Sequence, residues 1–375
     1  MPLDQVVPGG DVGPVLVADP VDRAWLDSWR AGVRQQVIDT LVRFVRDRCA
    51  EHVRDVLGAR FVTDLLSGFV TGGKCVRSLF TYLGWLCGAA EGPVGLRVAA
   101  STELLHVFAL LQDDVMDGAS LRRGQPAVHV RLAAWHREQG LAGSADRFGE
   151  SAAVLLGDLC LVWAEQLLRD SGVGAESLAR GWPRYDVLRG ELAVGQFADL
   201  INDARRHPSL DEVLDVARRK SGNYTVRRPL ELGAALAGCD DHVLAVLGGY
   251  GELVGEAYQL RDDLLGVFGR PSITGKPSDD LADGKATSVV VLAEQLATPA
   301  QHARLTDLAE CDRLSDVDIG EWRRLIEVTG ARAAVEEMIN SRVAAACARL
   351  ADGELPGFVT AALRDTALRC TDRTR

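Results

Sequence analysis

The amino-acid sequence predicts an all-α protein, built as a single-domain bundle of about ten helices. Apolar residues recur at helical spacing along most of the 375 residues. Clusters of glycine and proline separate these stretches, as they commonly do between helices. No segment shows the period-two alternation of a β-strand, and no internal repeat is visible.

The first predicted helix begins near Asp19 and Pro20, where Asp suits the N-cap and Pro the first turn. Apolar side chains then recur every four residues and form one stripe on a long helix: Trp25, Trp29, Val33, Val37, Leu41 and Val45. Two further helical stretches run from Leu79 to Cys87 and from Leu96 to Leu111. The remaining predicted helices cover roughly 151–169, 180–203, 211–237, 241–268, 287–297, 320–350 and 357–369.

Residues 1–18 contain Pro, Gly and Val without periodicity, and we expect them to form a flexible N-terminal arm. No long polar linker divides the remainder, so residues 19–375 are expected to form one domain. The breaks between its helices contain Gly or Pro, at 72–73, 92–93, 124–126, 207–208, 269–277 and 353–356.

Composition narrows the possible functions. Hydrophobic residues make up 47% and charged residues 25% of the chain, as in ordinary soluble proteins. The formal net charge is -11 and the pI is about 5.2. A nucleic-acid-binding protein would be expected to carry a basic face, so we predict no nucleic-acid partner. An acidic protein that binds anionic substrates needs a local cluster of Lys, Arg or metal.

The eight cysteines form no CxxC pair and no metal-ligand spacing, which favours reduced thiols in a cytoplasmic protein. The N-terminal residues lack the basic and apolar regions of a signal peptide. No uninterrupted apolar run reaches the roughly 18 to 20 residues of a membrane span. We therefore expect a soluble protein with no membrane-spanning helix.

A group of three aspartates is the first candidate site. An apolar helix ends in Asp113, Asp114 and Asp117, and the first and last of these lie one turn apart on one face. Like charges at that spacing weaken a helix, so the arrangement indicates a cation. Oxygen ligands suit Mg²⁺. A solvated helix end would show the same residues, so the motif alone is weak.

A second carboxylate pair, Asp262 and Asp263, also follows an apolar helical run. Downstream, Lys276 and Lys285 lie in glycine-containing loops among further aspartates, where lysines can contact phosphate oxygens that a metal also holds. A polar surface loop is the alternative interpretation.

Several basic residues could bind phosphate groups. Arg122 and Arg123 follow the first aspartates and could hold diphosphate oxygens bidentately. Lys74 and Arg77 enter a helix N-terminus, which favours anions. Lys220 stands beside a hydroxyl residue. Each of these alone could equally be a solvated surface feature.

Six segments in one order resemble the trans-isoprenyl diphosphate synthases, also called polyprenyl synthetases. The resemblance covers roughly residues 60–295, and a joint match by chance is negligible. The segments are GGKCVR (72–77), ELLHVFALLQDDVMDGASLRRGQP (103–126), GQFAD (195–199), KSGNY (220–224), YQLRDDLLGVFG (258–269) and GKPSDDLADGK (275–285).

This resemblance implies an isoprenoid synthase fold with a central cavity, in which isopentenyl diphosphate is joined to an allylic diphosphate. It implies three Mg²⁺ ions, two held by Asp113 and Asp117 and one by Asp262, with Asp114 and Asp263 in support. A homodimer is the family's usual assembly. The implied ligands of the allylic diphosphate are Arg122, Lys220 and Lys276, with Lys285 nearby. Those of isopentenyl diphosphate are Lys74, Arg77, His106 and Arg123. Dipoles that could shield a carbocation are those of Gln196, Ser221 and Gln259.

The length of the prenyl product is expected to depend on the helix that carries Asp113. Phe108 lies five positions before that aspartate and Ala109 four before it. In the family, an aromatic residue at the fifth position alone resembles geranylgeranyl diphosphate synthases, whereas aromatics at both positions favour farnesyl diphosphate. The resemblance therefore implies a twenty-carbon product. Phe108 could also be an ordinary core residue.

The chain departs from the family's pattern at five positions. Gln112 replaces a histidine, Cys75 an arginine and Ser78 a proline, and Ser221 stands where threonine is common. Gly266 replaces the last aspartate of the second motif. Asp280 could compensate for that change.

Two other functions remain open from the sequence. A class I terpene cyclase could share the fold, but the Asn/Asp-Ser/Thr-Glu triad typical of cyclases is absent after Asn202 and Asp203. A non-catalytic subunit of a heteromeric synthase would commonly lose aspartates of both motifs, whereas this chain keeps five of six.

Overall fold

The structure is a computed structural model that describes residues 23–203, 208–269, 280–282, 284–311 and 313–371. Within these ranges, β-structure is limited to a short antiparallel hairpin, in which β1 (Leu121–Arg122) pairs with β2 (Gln125–Pro126). The remaining ordered elements are helices. The all-α prediction is confirmed.

The α-helices, numbered along the chain, are α1 Arg23–His52, α2 Ala59–Thr71, α3 Val76–Trp85, α4 Pro93–Met116, α5 Val128–Glu138, α6 Ala145–Arg169, α7 Ala175–Asp203, α8 Leu210–Ala217, α9 Arg228–Ala237, α10 Asp241–Phe268, α11 Ser288–Leu296, α12 Pro299–Ala309, α13 Asp316–Val328, α14 Ala331–Arg349 and α15 Gly357–Thr371. A π-helix, Arg218–Arg227, connects α8 to α9, and a 3-10 turn, Leu350–Asp352, follows α14.

The described residues contain more helices than the predicted ten or so. Helices α2, α5 and α12 were not predicted, and the single helix expected over 320–350 is two helices. Gly330 separates them because it adopts φ of 84°, a left-handed conformation that ends a regular helix. Trp25, the first residue of the predicted apolar stripe of α1, is 50% exposed and packs edge-on against Phe358. The proposed arm, residues 1–18, lies outside the described residues, as does the predicted first cap.

The helices that carry the aspartates are held by the core. Helix α10 packs against the π-helix and α14, while α4 packs against α3 and α6. The largest fully buried side chains include Trp163, Tyr185, Tyr250 and Phe80. Burying one such side chain stabilises a fold by about 1.5–3 kcal/mol, so both helices are firmly positioned.

Glycines allow the π-helix to approach its neighbours at backbone distance. A Cβ at Gly255 of α10 would lie 2.5 Å from the carbonyl oxygen of Gly222 in the π-helix. On the other side, a Cβ at Gly195 of α7 would lie 2.7 Å from the Cα of Lys220. π-Helical turns are rare and often occur at functional sites. Because Gly195 and Gly255 have no side chains, the π-helix can pack directly against α7 and α10. This close packing sets the positions of Lys220 and Ser221.

Two described helices, α4 and α6, are long and apolar enough to span a membrane by length and composition alone. Of the apolar stretch of α4, 67% is buried inside the protein, as in the core helix of many soluble proteins. These two helices therefore give only weak support for a membrane span. The eight cysteines are all free thiols.

Candidate active site

The first aspartate group lies at the end of α4, where it contacts the β-hairpin. Asp113 and Asp114 occupy the last turn, and the Asp117 N–H donates to the Asp113 carbonyl over 2.9 Å. Arg122 Nε donates to Asp114 Oδ1 over 2.6 Å, and its Nη2 lies 3.3 Å from Asp113 Oδ2. Asp114 is 1% exposed, so it orients Arg122 rather than facing solvent. Burial opposes the charge of Arg122, yet the pKa of its guanidinium is raised by Asp114 and Asp113.

The second aspartate pair lies on the last turns of α10, and its two members face different surroundings. Asp263 is 6% exposed and accepts hydrogen bonds from Gln259 Nε2 (2.8 Å), Ser288 N (3.0 Å) and Ser288 Oγ (2.5 Å). Burial raises the pKa of its carboxyl group, and these hydrogen bonds counteract that rise. Asp262 is half-buried. Asp263 therefore anchors α10 to the start of α11, an interaction with Ser288 that the sequence did not indicate.

Two lysines from other elements reach the first aspartate group. Lys220 Nζ on the π-helix lies 3.5 Å from Asp113 Oδ1 and also forms a close ion pair with Asp199 of α7. Lys285 Nζ lies 3.5 Å from Asp117 Oδ2. Burial opposes the charge of both ammonium groups, but the neighbouring carboxylates raise their pKa values. Both lysines therefore stay charged at neutral pH. Asp199 lies within the quoted GQFAD segment, but its pairing with Lys220 could not be inferred from spacing.

A cavity of about 190 Å³ lies between α7, α8, the π-helix, α10 and the segment before α11. Lys220 and Lys285 line it, as does Asp263 of the second aspartate pair. Its polar lining comprises Asp199, Asn202, Lys220, Ser221, Gln259, Asp263, Asp280, Lys285 and Thr287. The ion pairs of these two lysines with Asp113 and Asp117 place the first aspartate group beside this cavity.

A second basic group lies at the start of α3. The Arg77 guanidinium lies 4.5 Å from the centroid of the Tyr224 ring. Arg123 Nη1 donates to the Phe69 carbonyl over 3.2 Å, and Lys74 is exposed beside them. Three cationic side chains near one helix start could hold an anion by their charge.

A buried glutamate lies beneath this basic group. Glu103 is 4% exposed and accepts a hydrogen bond from Ser78 Oγ over 3.1 Å. Burial raises the pKa of its carboxyl group, whereas Arg77 and Arg123 oppose that rise. Glu103 was not among the predicted site residues. The Glu103 carboxyl group therefore lies close enough to both arginines to interact with their charges.

His106 contacts the same region from α4. Its ring centroid lies 6.1 Å from that of Tyr224. Burial lowers the pKa of His106 well below its usual range, and the positive charges of Arg77 and Arg123 lower it further. His106 is therefore a neutral imidazole that can form hydrogen bonds without adding charge.

The aspartates of the candidate site offer only oxygen atoms as ligands for a metal ion. Among the described residues, no three His, Cys, Asp or Glu side chains are grouped closely enough to hold a metal ion by themselves. Mg²⁺ commonly uses one or two carboxylates together with substrate phosphates and water. Asp113, Asp117 and Asp262 supply oxygen ligands only, and the basic residues beside them could hold the phosphates. The residues fit Mg²⁺ that binds together with a phosphorylated substrate.

The other predicted residues have simpler surroundings. Lys276 lies outside the described residues. Gln112 donates to Asp158 over 2.8 Å and thereby connects α4 to α6. Gln196 Nε2 lies 3.9 Å from Met116 Sδ. Phe108 and Ala109 are partly buried against the hydrophobic core.

Comparison with known proteins gives a consistent result. Residues 60–324 match the sequence profile of one protein family, polyprenyl synthetase. The chain is 34% identical to the geranylgeranyl diphosphate synthase of Mycobacterium tuberculosis over 288 residues, which span 75% of this chain and 76% of that protein. It is 30% identical to the (2E,6E)-farnesyl diphosphate synthase of Mycobacterium bovis over 352 residues, which span 91% and 92% of the two chains.

The fold also matches solved structures. The geranylgeranyl pyrophosphate synthase of Corynebacterium glutamicum, complexed with isoprenyl diphosphate and magnesium, superimposes with a TM-score of 0.86 at 36% identity. The match covers 93% of this chain and 99% of that one.

Proposed function

This chain belongs to the polyprenyl synthetase family, and we propose that it is a magnesium-dependent enzyme whose main product is geranylgeranyl diphosphate. Its relatives are named geranylgeranyl and farnesyl diphosphate synthases, so the activity is short-chain prenyl transfer. The substrates are isopentenyl diphosphate and an allylic diphosphate. We expect three Mg²⁺ ions during turnover.

One observation carries this proposal: Lys220 and Lys285 line one cavity together with Asp263 of the second aspartate pair, and each of these charged lysines lies 3.5 Å from an aspartate oxygen of the first group. In the proposed mechanism Asp113, Asp117 and Asp262 would hold Mg²⁺, which would offset charge on the departing pyrophosphate. Lys220, Lys285 and Arg122 bind the same diphosphate and neutralise the charge that develops as the allylic carbon–oxygen bond breaks; Lys276 is assigned to this group by the resemblance. The side chains of Asp114 and Asp263 fix Arg122 and the end of α10.

The second substrate needs a different environment. Isopentenyl diphosphate supplies the double bond that attacks the carbocation, and the new cation then loses a proton to the released pyrophosphate. The carbon–oxygen bond of isopentenyl diphosphate stays intact in this step, so its diphosphate must be held without the metal ions that assist ionisation. Lys74, Arg77 and Arg123 supply positive charge for that purpose. Neutral His106 supplies a hydrogen bond, and buried Glu103 keeps the arginines in place. Separate basic and carboxylate-rich sites therefore suit the two roles of diphosphate in one reaction.

The side chains near the developing cation are polar but uncharged. Ser221 and Gln259 line the cavity, and Gln196 lies near Met116 at the end of α4. Their dipoles could stabilise a carbocation without reacting with it. The Gln259 amide also donates to Asp263, so this residue would connect the cation site to the second aspartate pair.

We further propose a homodimer in the cytoplasm. Apolar side chains on α6 and α7 are exposed to an extent that favours an interface between subunits. They include Leu155 (64% exposed), Val162 (61%), Val194 (54%) and Phe197 (65%). Analytical ultracentrifugation of the purified chain tests this assembly, and a monomer at micromolar concentration would contradict it.

Product analysis tests the proposed function. The enzyme is incubated with Mg²⁺, isopentenyl diphosphate and, in turn, five-, ten- and fifteen-carbon allylic diphosphates. We expect the twenty-carbon diphosphate from each of them. Parallel reactions without isopentenyl diphosphate test for a cyclase, because only a cyclase would form hydrocarbon from the allylic substrate alone. A wild-type enzyme that stops at fifteen carbons would refute the product assignment.

A further inference from the structure

The Asp280 carboxylate packs directly against Gly266 near the end of α10. Gly266 lies one helical turn after Asp262. A Cβ built on Gly266 would lie 1.7 Å from Asp280 Oδ2 and 2.5 Å from Asp280 Cγ. Real Cβ atoms essentially never approach other atoms so closely. The Asp280 carboxylate therefore occupies the volume in which a side chain at position 266 would begin.

Asp280 is held in this position by its backbone and its neighbour. Its N–H donates to the Gly266 carbonyl over 3.3 Å, and its own carbonyl accepts from the Lys285 N–H over 2.9 Å. The next residue, Leu281, is 1% exposed and belongs to the hydrophobic core. The carboxylate is thus presented to α10 by a residue whose N–H and carbonyl are both hydrogen-bonded and whose next neighbour is buried.

The Asp280 carboxylate lies near Asp262, because Gly266 and Asp262 are one helical turn apart on α10. Residues four apart lie on the same helix face with their Cβ atoms about 5–6 Å apart. A carboxylate above Gly266 therefore lies beside the face that bears Asp262. Asp280 also lines the same cavity as Lys220, Gln259 and Lys285. Glycine is among the least favourable residues inside a helix, and here only glycine leaves room for the approaching carboxylate.

We propose that Asp280 is a metal-binding residue that supplies, from outside α10, the third carboxylate of the second aspartate site. This inference rests on the proposed function, since it assigns Asp280 to the same hard divalent cations. Asp262 on α10 and Asp280 outside this helix would together bind a divalent cation. In the usual motif, two aspartates of one helix would supply these carboxylates. Gly266 is then required for metal binding although it has no side chain.

Manganese binding tests the proposal directly. Mn²⁺ is titrated into the full-length protein in the presence of inorganic pyrophosphate, and bound ions are counted by electron paramagnetic resonance. Asp280→Asn keeps the size of the side chain and should weaken at least one Mn²⁺ site by about tenfold or more. Asp241→Asn, at the exposed start of α10, removes the same charge and should leave binding unchanged.

Exchanging the two residues separates a metal ligand from a structural residue. Gly266→Asp alone should weaken binding, because its Cβ meets the Asp280 carboxylate. The double variant Gly266→Asp with Asp280→Gly moves the carboxylate onto the helix and should restore Mn²⁺ affinity to within about threefold of wild type, a difference well below the tenfold loss expected above. Wild-type affinity in Asp280→Asn, or no recovery in the double variant, would overturn the proposal.

The same experiment distinguishes this inference from the proposed function. If wild-type protein binds Mn²⁺ through Asp280 but forms no prenyl diphosphate, the metal ligand stands and the proposed function fails. If wild-type protein forms prenyl diphosphate and Asp280→Asn binds Mn²⁺ as tightly as wild type, the proposed function stands and the inference fails.

Discussion

Replacing Gly255 with alanine should damage both stability and catalysis, because this glycine lets α10 contact the π-helix. The new Cβ would lie 2.5 Å from the Gly222 carbonyl oxygen and 2.6 Å from its carbonyl carbon. Both are backbone atoms, so no side-chain rotation can relieve the contact. The π-helix must retreat by about 1 Å to restore ordinary van der Waals separation.

The expected magnitude follows from two opposing effects. Overpacking of this kind costs about 1–3 kcal/mol in the free energy of unfolding. Alanine regains about 1 kcal/mol over glycine inside a helix. Gly190→Ala is a matched control, because Gly190 lies in α7 with nothing within 4 Å of its added Cβ. Both variants gain the higher helix propensity of alanine, so this gain cancels when they are compared. Gly255→Ala should therefore be less stable than Gly190→Ala by about 1–3 kcal/mol.

Urea denaturation followed by circular dichroism measures this difference. Steady-state kinetics supply a second readout, since Lys220 lies two residues before Gly222. Moving a catalytic group by about 1 Å can reduce a rate by about 10²-fold. We therefore expect kcat to fall in Gly255→Ala and to stay at the wild-type value in Gly190→Ala. Equal stability of the two variants would refute the packing argument.

The other predictions concern the two sites and the product. Asp113→Ala and Asp262→Ala should each abolish measurable turnover with an unchanged circular dichroism spectrum, and product formation by wild-type enzyme in excess EDTA would contradict the metal assignment. Arg123→Ala should raise KM for isopentenyl diphosphate by about tenfold, the cost of one charged hydrogen bond, and raise KM for the allylic substrate less; equal increases would show that the two diphosphate sites are wrongly assigned. Phe108→Ala should lengthen the product and Ala109→Phe should shorten it, as measured by chromatography of the dephosphorylated alcohols, and unchanged products in both variants would show that another residue limits chain length.

Much of the fold could be predicted because it depends on local pattern, and the same local pattern drew attention to the residues of the candidate site. Long apolar repeats identified α4 and α10, and the aspartates at their ends stood out by composition. Helix α12 was missed although Thr298 and Gln301 form a capping box at its start. That signal is local, so it could have been found. The split between α13 and α14 depends on the single conformation of Gly330.

Other features could not be predicted because they depend on contacts between distant elements. The ion pair between Lys220 and Asp199 requires the π-helix to pass beside α7. The π-helix itself extends a helical pattern and changes only its hydrogen-bonding register. The burial of Glu103 beneath two arginines depends on how α3 meets α4. Pairings of this kind follow from packing geometry, which a spacing along the chain does not encode.

The ion pairs at the first aspartate group imply thermodynamic linkage between cation and substrate. Lys220 and Lys285 each lie 3.5 Å from an aspartate oxygen that a divalent cation would need. A cation that binds alone must compete with those ammonium groups, whereas a diphosphate offers them new partners. Each ligand should therefore strengthen the binding of the other by the same factor, since coupling of this kind is reciprocal. The first aspartate group would then bind the cation and the diphosphate together more tightly than it binds either of them alone.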